Sequence, residues 1–187
     1  MGFYNKLPFF IRHFLSNIAK LLPEFKGVNF LIRRGEKPEN YYIGVNRNFS
    51  ERMARKVLKN KYPLKAIDVT KETYAEYSNF TDIEKMQAID INYWLMKDIL
   101  LKADRMTMAS GLEGRVPFID KCVFDVAKTL PIEYKVTKEN TKVALREAAR
   151  EVIPTEAYKK KKLGFPVPIR EWIKDDDVYE EVKNTLN

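Results

Sequence analysis

Apolar residues recur at helical spacing through most of the chain, and strand-like alternation is rare. In residues 3–22, Phe9, Phe10, Phe14, Ile18, Leu21 and Leu22 return at steps of three and four. That spacing predicts one amphipathic helix, or two short ones, with this stripe against a core. Pro8 suits its first turn and Pro23 its end. A helix lying on a membrane surface is the rival reading of the same stripe. Residues 24–50 scatter turn signals at Gly27, Gly35, Pro38, Asn40 and Gly44. Tyr41, Tyr42 and Ile43 read either as a short strand or as aromatics that dock a loop. Ser50 is the expected N-cap of a helix bearing Met53, Val57 and Leu58. After a connector over 60–70, Thr70 is the expected cap of a helix over 71–79, and Thr81 or Asp82 that of the next.

Residues 83–110 hold no glycine or proline and are apolar nearly all round between Ile89 and Leu101. A helix without a polar face predicts a central position, either continuous or broken near Met96. Asp120 is the expected N-cap of a helix over 121–129, which Pro131 ends. Tyr134, Lys135 and Val136 read as extended and 138–140 as a turn. Thr141 is the expected cap of the helix in TKVALREAAREVI, which places Lys142 in its first turn. Lysines 159–162 read as solvated surface, 163–169 as a rigid loop, 171–173 as a short helix, and 175–177 as the cap of a final helix. The fold class is therefore mainly α, one helical subdomain over 1–187.

Composition narrows this picture without redirecting it. A chain of 187 residues with 45% hydrophobic side chains can bury a core. Cys122 is the only cysteine, so no intrachain disulfide is possible, and a reducing, cytoplasmic setting is expected. No apolar run approaches the roughly 20 residues of a membrane span. Lys6, Pro8, Arg12 and His13 interrupt any signal-peptide core. His13, the single histidine, has no zinc-type partners, and no metal ligand is assigned. The net charge of +8 is uneven: residues 1–65 hold 14 Lys/Arg against 4 Asp/Glu, whereas 66–120 hold 6 against 10. The basic part suits a face that meets an acidic partner domain. A nucleic-acid or protein-binding module is the alternative of another class, but no motif of nucleic-acid recognition accompanies it.

The chemistry concentrates in residues 98–120, DILLKADRMTMASGLEGRVPFID. At 100° per residue Asp98, Lys102 and Arg105 share one stripe, opposite Ile99, Leu100, Ala103, Met106 and Thr107. Asp104 falls off that stripe among leucines and Met108, where a buried carboxylate needs a partner. Gly111 is the expected stop. Glu113 and Arg115 then flank Gly114 on a tight turn that Pro117 stiffens. These residues alone read first as a helix ending in an ordinary salt-bridged turn. Lys142 opposes the helix dipole, which an exposed site tolerates, yet a lysine beside free helix N–H groups is also an anion site.

The block LLKADRMTMASGLEGRVPFID resembles a signature of the glutamine-hydrolysing asparagine synthetase family. TKVALREAAR and KKLGFPVPIREW follow in the family's order and are similar to its later elements, so the match covers about residues 90–174. The resemblance implies the C-terminal portion of a PP-loop (adenine-nucleotide α-hydrolase-like) synthetase domain, without the parallel sheet that bears the nucleotide loop. It implies an enzyme that adenylates aspartate with ATP and Mg²⁺ and transfers to it ammonia drawn from glutamine. Lys142 matches the lysine near the pyrophosphate, and Asp98 and Lys102 the acidic and basic residues lining the site. Asp104, Arg105, Glu113 and Arg115 are motif members expected to line the phosphates or hold the loop. The Ser-Gly-Gly-x-Asp-Ser loop, the acidic element ending in Gly-Gly-Tyr and the glutaminase cysteine do not occur. The expected partners are therefore upstream nucleotide-binding and glutaminase parts, with no membrane. No cofactor is expected to bind this portion tightly, and alone it is expected to be inactive. A β-lactam-synthetase-like or other amidotransferase homologue with a different carboxylate substrate remains the alternative within the fold.

Overall fold

A computed structural model describes residues 4–23, 25–60, 63–161, 164 and 167–186. The chain divides into two compact units, Met1–Arg115 and Val116–Asn187. It is mainly α: among the described residues the extended pairing is confined to one isolated bridge, Val136 with Thr141.

In the first unit, α1 (Phe9–Ala19) packs on α2 (Lys26–Gly35). The expected aromatic stripe does not make this contact. Phe10 is 72% exposed, Phe14 64% and Leu21 81%, while Ser16 and Ala19 are buried. The reason is backbone proximity. A Cβ built on Gly35 would lie 2.2 Å from the carbonyl oxygen of Arg12 and 2.7 Å from Ser16 Cβ, so only small residues fit between the helices. Polar bonds then lock the pair. Arg12 Nη1 donates to Arg34 O at 3.0 Å, and Ser16 Oγ to Glu36 Oε1 at 3.2 Å. Lys20 Nζ reaches the same Glu36 oxygen at 2.6 Å, and Asn40 Nδ2 donates to Oε2 at 2.8 Å. His13 Nδ1 lies 3.1 Å from Gly35 O and 3.3 Å from Glu36 Oε1, a structural position.

Tyr41, Tyr42 and Ile43 form no strand; the aromatics dock a loop. Tyr42 donates its hydroxyl to Asp90 Oδ2 at 2.7 Å, and Tyr74 donates to Tyr42 O at 2.8 Å. Ser50 caps α3 (Glu51–Val57) by accepting from Met53 N at 3.2 Å. The next helix differs from expectation. α4 runs over Ala66–Glu76, so Thr70 lies inside it, buried, with its hydroxyl turned back onto Ile67 O. Asp68 supplies the missing cap by accepting from Lys65 N at 2.8 Å.

The long segment is continuous. α5 (Asp82–Ile89) passes into a π-helical stretch, Asp90–Leu100, and then into α6 (Leu101–Met108), with no break at Met96. Thr81 and Glu84 form a reciprocal cap at its start. Its first half is central: Ala88 and Ile89 are buried, and Asp90 accepts from Tyr42 and, at 2.8 Å, from Val45 N. Its later half is open, with Met96, Leu101, Met106 and Met108 exposed. The core is therefore smaller than the composition suggests. The buried apolar side chains among the described residues include Ala19, Val28, Pro38, Tyr74, Ala88 and Ile89.

The second unit strings short helices together: α7 (Lys121–Thr129), α8 (Ile132–Lys135), α9 (Val143–Ala149), α10 (Thr155–Lys159), α11 (Ile169–Trp172) and α12 (Asp176–Leu186). Asp120 caps α7 by accepting from Cys122 N at 2.9 Å. Asp175 Oδ1 accepts from Asp177 N at 3.2 Å ahead of α12. Tyr134 and Lys135 are helical rather than extended, and extended backbone begins at Val136. In the loop expected over 163–169 and in the lysine run, Lys162, Leu163, Phe165 and Pro166 lie outside the described residues.

Candidate functional site

The motif-bearing residues of the first unit are set out along the end of the long helix. Asp98 sits in the π-helical stretch and Lys102 one turn on in α6, and they form an ion pair at 2.9 Å. π-helical turns are uncommon and recur at functional sites. The helix then ends on Gly111, whose φ of +68° is left-handed. Gly111 N–H donates to Met108 O at 2.9 Å and Leu112 N–H to Thr107 O at 3.0 Å. This is a Schellman closure, in which glycine lets the chain reverse without steric cost. The loop folds back on the helix: a Cβ on Gly114 would sit 3.4 Å from Thr107 Oγ1. Glu113 and Arg115 pair across Gly114 at 2.8 Å, both exposed.

Asp104 departs from expectation. It is exposed rather than packed among leucines, and among the described residues its carboxylate and the Arg105 guanidinium have no ion-pair partner. Exposure removes the desolvation cost that would demand one. The structure thus brings Asp98 to Lys102 and Glu113 to Arg115 as two separate pairs, the first with a half-buried carboxylate and the second exposed.

Lys142 lies in the second unit and also differs from expectation. It is not in the first helical turn; it is the residue before α9, with φ 59° and ψ 42°. Among the described residues it is the one non-glycine with positive φ. A hairpin-like loop enforces this. Thr137 N–H donates to Asn140 O at 2.8 Å, and Thr137 Oγ1 accepts from Asn140 N at 3.0 Å. Val136 and Thr141 bridge, and Lys142 N–H donates to Lys135 O at 2.8 Å. Thr141, the expected cap, is used in this bridge instead. Arg146, which the sequence pattern did not single out, holds the junction: Nε donates to Thr141 O at 3.1 Å and Nη1 to Tyr158 O. The Lys142 side chain is exposed, and its ammonium has no partner among the described residues. A left-handed lysine costs energy that the surrounding bonds must offset, a pattern that concentrates at ligand sites.

A family model for asparagine synthase matches residues 15–187. The chain belongs to the asparagine synthase family. The match extends upstream of the motif-bearing residues into the α1–α2 pair. The Bacillus subtilis protein named asparagine synthetase (glutamine-hydrolysing) 1 is 44% identical over 185 residues, which are 98% of this chain and 29% of that relative. A Mycobacterium tuberculosis protein provisionally named for the same activity is 41% identical over 179 residues, 95% of this chain and 28% of its own length. The chain therefore spans under a third of the curated relatives it matches. No solved structure matches it.

Within this asparagine synthase segment the metal expectation is local. Among the described residues no three His, Cys, Asp or Glu side chains gather as a metal site. No described helix is long and apolar enough to cross a membrane. Other residues that shape the first unit were also missed. Asp90 carried a signal, as a lone acid opening an apolar run; Glu36 carried none, because its four partners are 16 to 23 residues upstream or four downstream.

Proposed function

We propose that this chain is the C-terminal portion of an ATP-dependent amide ligase that makes asparagine. In the proposed reaction the aspartate side-chain carboxylate attacks the α-phosphorus of ATP. The bond to the β-phosphate oxygen breaks, and pyrophosphate leaves. Ammonia released from glutamine by another part of the enzyme then attacks the acyl carbon, loses a proton and expels AMP. Lys142 offsets the charge that builds on the departing phosphates. Asp98 and Lys102 line the aspartate side as an ion pair, and Glu113 and Arg115 brace the loop after α6. Asp104 and Arg105 are placed with that loop scaffold.

The observation that carries this reading is Lys142: a lysine at the family's phosphate-lysine position, held in a left-handed backbone, with its ammonium uncommitted among the described residues. The open apolar half of the long helix supports a segment that is completed by further chain, since surfaces of this kind mark interaction sites. The upstream nucleotide-binding and glutaminase parts are the proposed partners, in a reducing cytoplasm. The test is direct. The 187-residue chain, given ATP, aspartate and ammonia, releases no pyrophosphate. Lys142→Ala in the full-length enzyme abolishes pyrophosphate release and leaves glutamine hydrolysis intact. Release by the isolated chain, or near wild-type synthesis by Lys142→Ala, overturns the respective half of the reading.

A further inference from the structure

Away from the motif-bearing residues, the first unit holds a groove of about 670 Å³ between the end of α1, α2, the loop over 40–50 and the start of α3. Its size falls within the few-hundred-to-thousand Å³ span of small-molecule sites. Four of its lining side chains are cationic: Lys20, Arg33, Arg47 and Arg52. Glu51 is the one carboxylate in the lining, and its Oε1 already accepts from Ala66 N at 2.6 Å. Lys20 is spent on buried Glu36. Three arginines therefore line the groove without a carboxylate of their own.

They are not equivalent. Arg47 is held in place, with Nε donating to Phe49 O at 3.3 Å and Nη1 to Tyr41 O at 3.4 Å, which leaves Nη2 free. A guanidinium fixed by backbone carbonyls loses less freedom on binding than a free one. Arg33 and Arg52 have no hydrogen-bond or ion-pair partner among the described residues. Unopposed cations beside apolar Val28 and Ile32 select an anion, and three forked donors suit an anion with several oxygens around one centre.

We propose that this groove binds a small phosphate-bearing anion, with Arg33, Arg47 and Arg52 as its phosphate contacts. The groove belongs to the first unit and Lys142 to the second, and the proposal does not depend on the synthetase reading. The experiment titrates the isotope-labelled 187-residue chain with inorganic pyrophosphate and, in parallel, with AMP, and follows amide shifts. Saturable shifts over residues 20–53 are expected. Arg33→Gln/Arg52→Gln weakens binding by about tenfold or more, the scale of lost charge-assisted bonds. Its melting temperature stays unchanged, because neither side chain holds the fold. Lysine at both positions restores part of the affinity, and Lys142→Ala leaves binding in place. Tighter binding of AMP than of pyrophosphate identifies a nucleotide as the ligand; equal or weaker binding identifies the phosphate group alone. No saturable shift by about 10 mM of either probe, well beyond millimolar affinity, overturns the proposal. So does affinity unchanged in the double glutamine variant, or shifts confined to 135–146 and lost with Lys142→Ala.

Discussion

Replacing Lys142 by glycine separates stability from chemistry at a single position. With φ 59° and ψ 42°, Lys142 occupies a region that costs an L-residue about 1–2 kcal/mol. Glycine removes that cost but adds unfolded-state freedom worth about 0.5–1 kcal/mol. Lys142→Gly therefore stabilises the second unit by about 0–1.5 kcal/mol. Lys142→Ala keeps the strained backbone and, at an exposed side chain, leaves stability near zero change. Lys142→Val destabilises it by about 1 kcal/mol, because a β-branched residue tolerates positive φ worst. The assay is urea unfolding of the 187-residue chain in a Trp94→Phe background, so that Trp172 alone reports on the second unit. The same substitutions in the full-length enzyme are scored by pyrophosphate release. The expected pattern is a glycine variant at least as stable as wild type and devoid of adenylation. A glycine variant less stable than the alanine variant by more than about 1 kcal/mol refutes the left-handed backbone. Retained pyrophosphate release in the glycine variant refutes the phosphate role.

Three further outcomes test the first unit. Gly35→Ala drives a Cβ to 2.2 Å from Arg12 O, a backbone atom that cannot yield, so the α1–α2 pair loses about 2–3 kcal/mol in thermal or urea unfolding; wild-type stability contradicts the close approach. Asp90→Ala strands the Tyr42 hydroxyl and Val45 N–H, costs about 2 kcal/mol and raises amide exchange over 41–45, whereas exchange unchanged there removes Asp90 as the loop anchor. Burial pushes the Glu36 carboxyl up, but hydrogen bonds from Lys20, Asn40 and Ser16 and the Lys20 charge outweigh it and hold the group below the ordinary 4.5. A folded value below the unfolded one means stability present above about pH 4.5 and lost as pH falls through the folded value. Glu36→Gln flattens this acid limb of the unfolding midpoint, and an unchanged limb assigns it to other carboxylates.

The caps at Ser50, Thr81, Asp120 and Gly111 were legible in the sequence because each depends on a few neighbouring residues and one side-chain or backbone rule. The ion pairs Asp98–Lys102 and Glu113–Arg115 were legible for the same reason, since both lie within one turn of chain. The motif order also carried the family, which the comparisons establish over residues 15–187. Tertiary structure decided the rest. The stripe of α1 marks an apolar surface, but periodicity says nothing of what covers it; the close approach at Gly35 turned Ser16 and Ala19 inward instead. Thr70 lost its cap role because Asp68 satisfied the helix start earlier. The π-helical register over Asp90–Leu100 places a clamp from Tyr42 and Val45 at its first residue, a contact 45 to 48 residues distant in sequence. Lys142 was recognisable as a residue from its motif, yet its left-handed backbone goes with the Val136–Thr141 bridge and with Arg146, which also ties Thr141 O to Tyr158 O twelve residues beyond it. Local rules thus identified which residues carry the chemistry, and longer-range bonds set the backbone on which those residues stand.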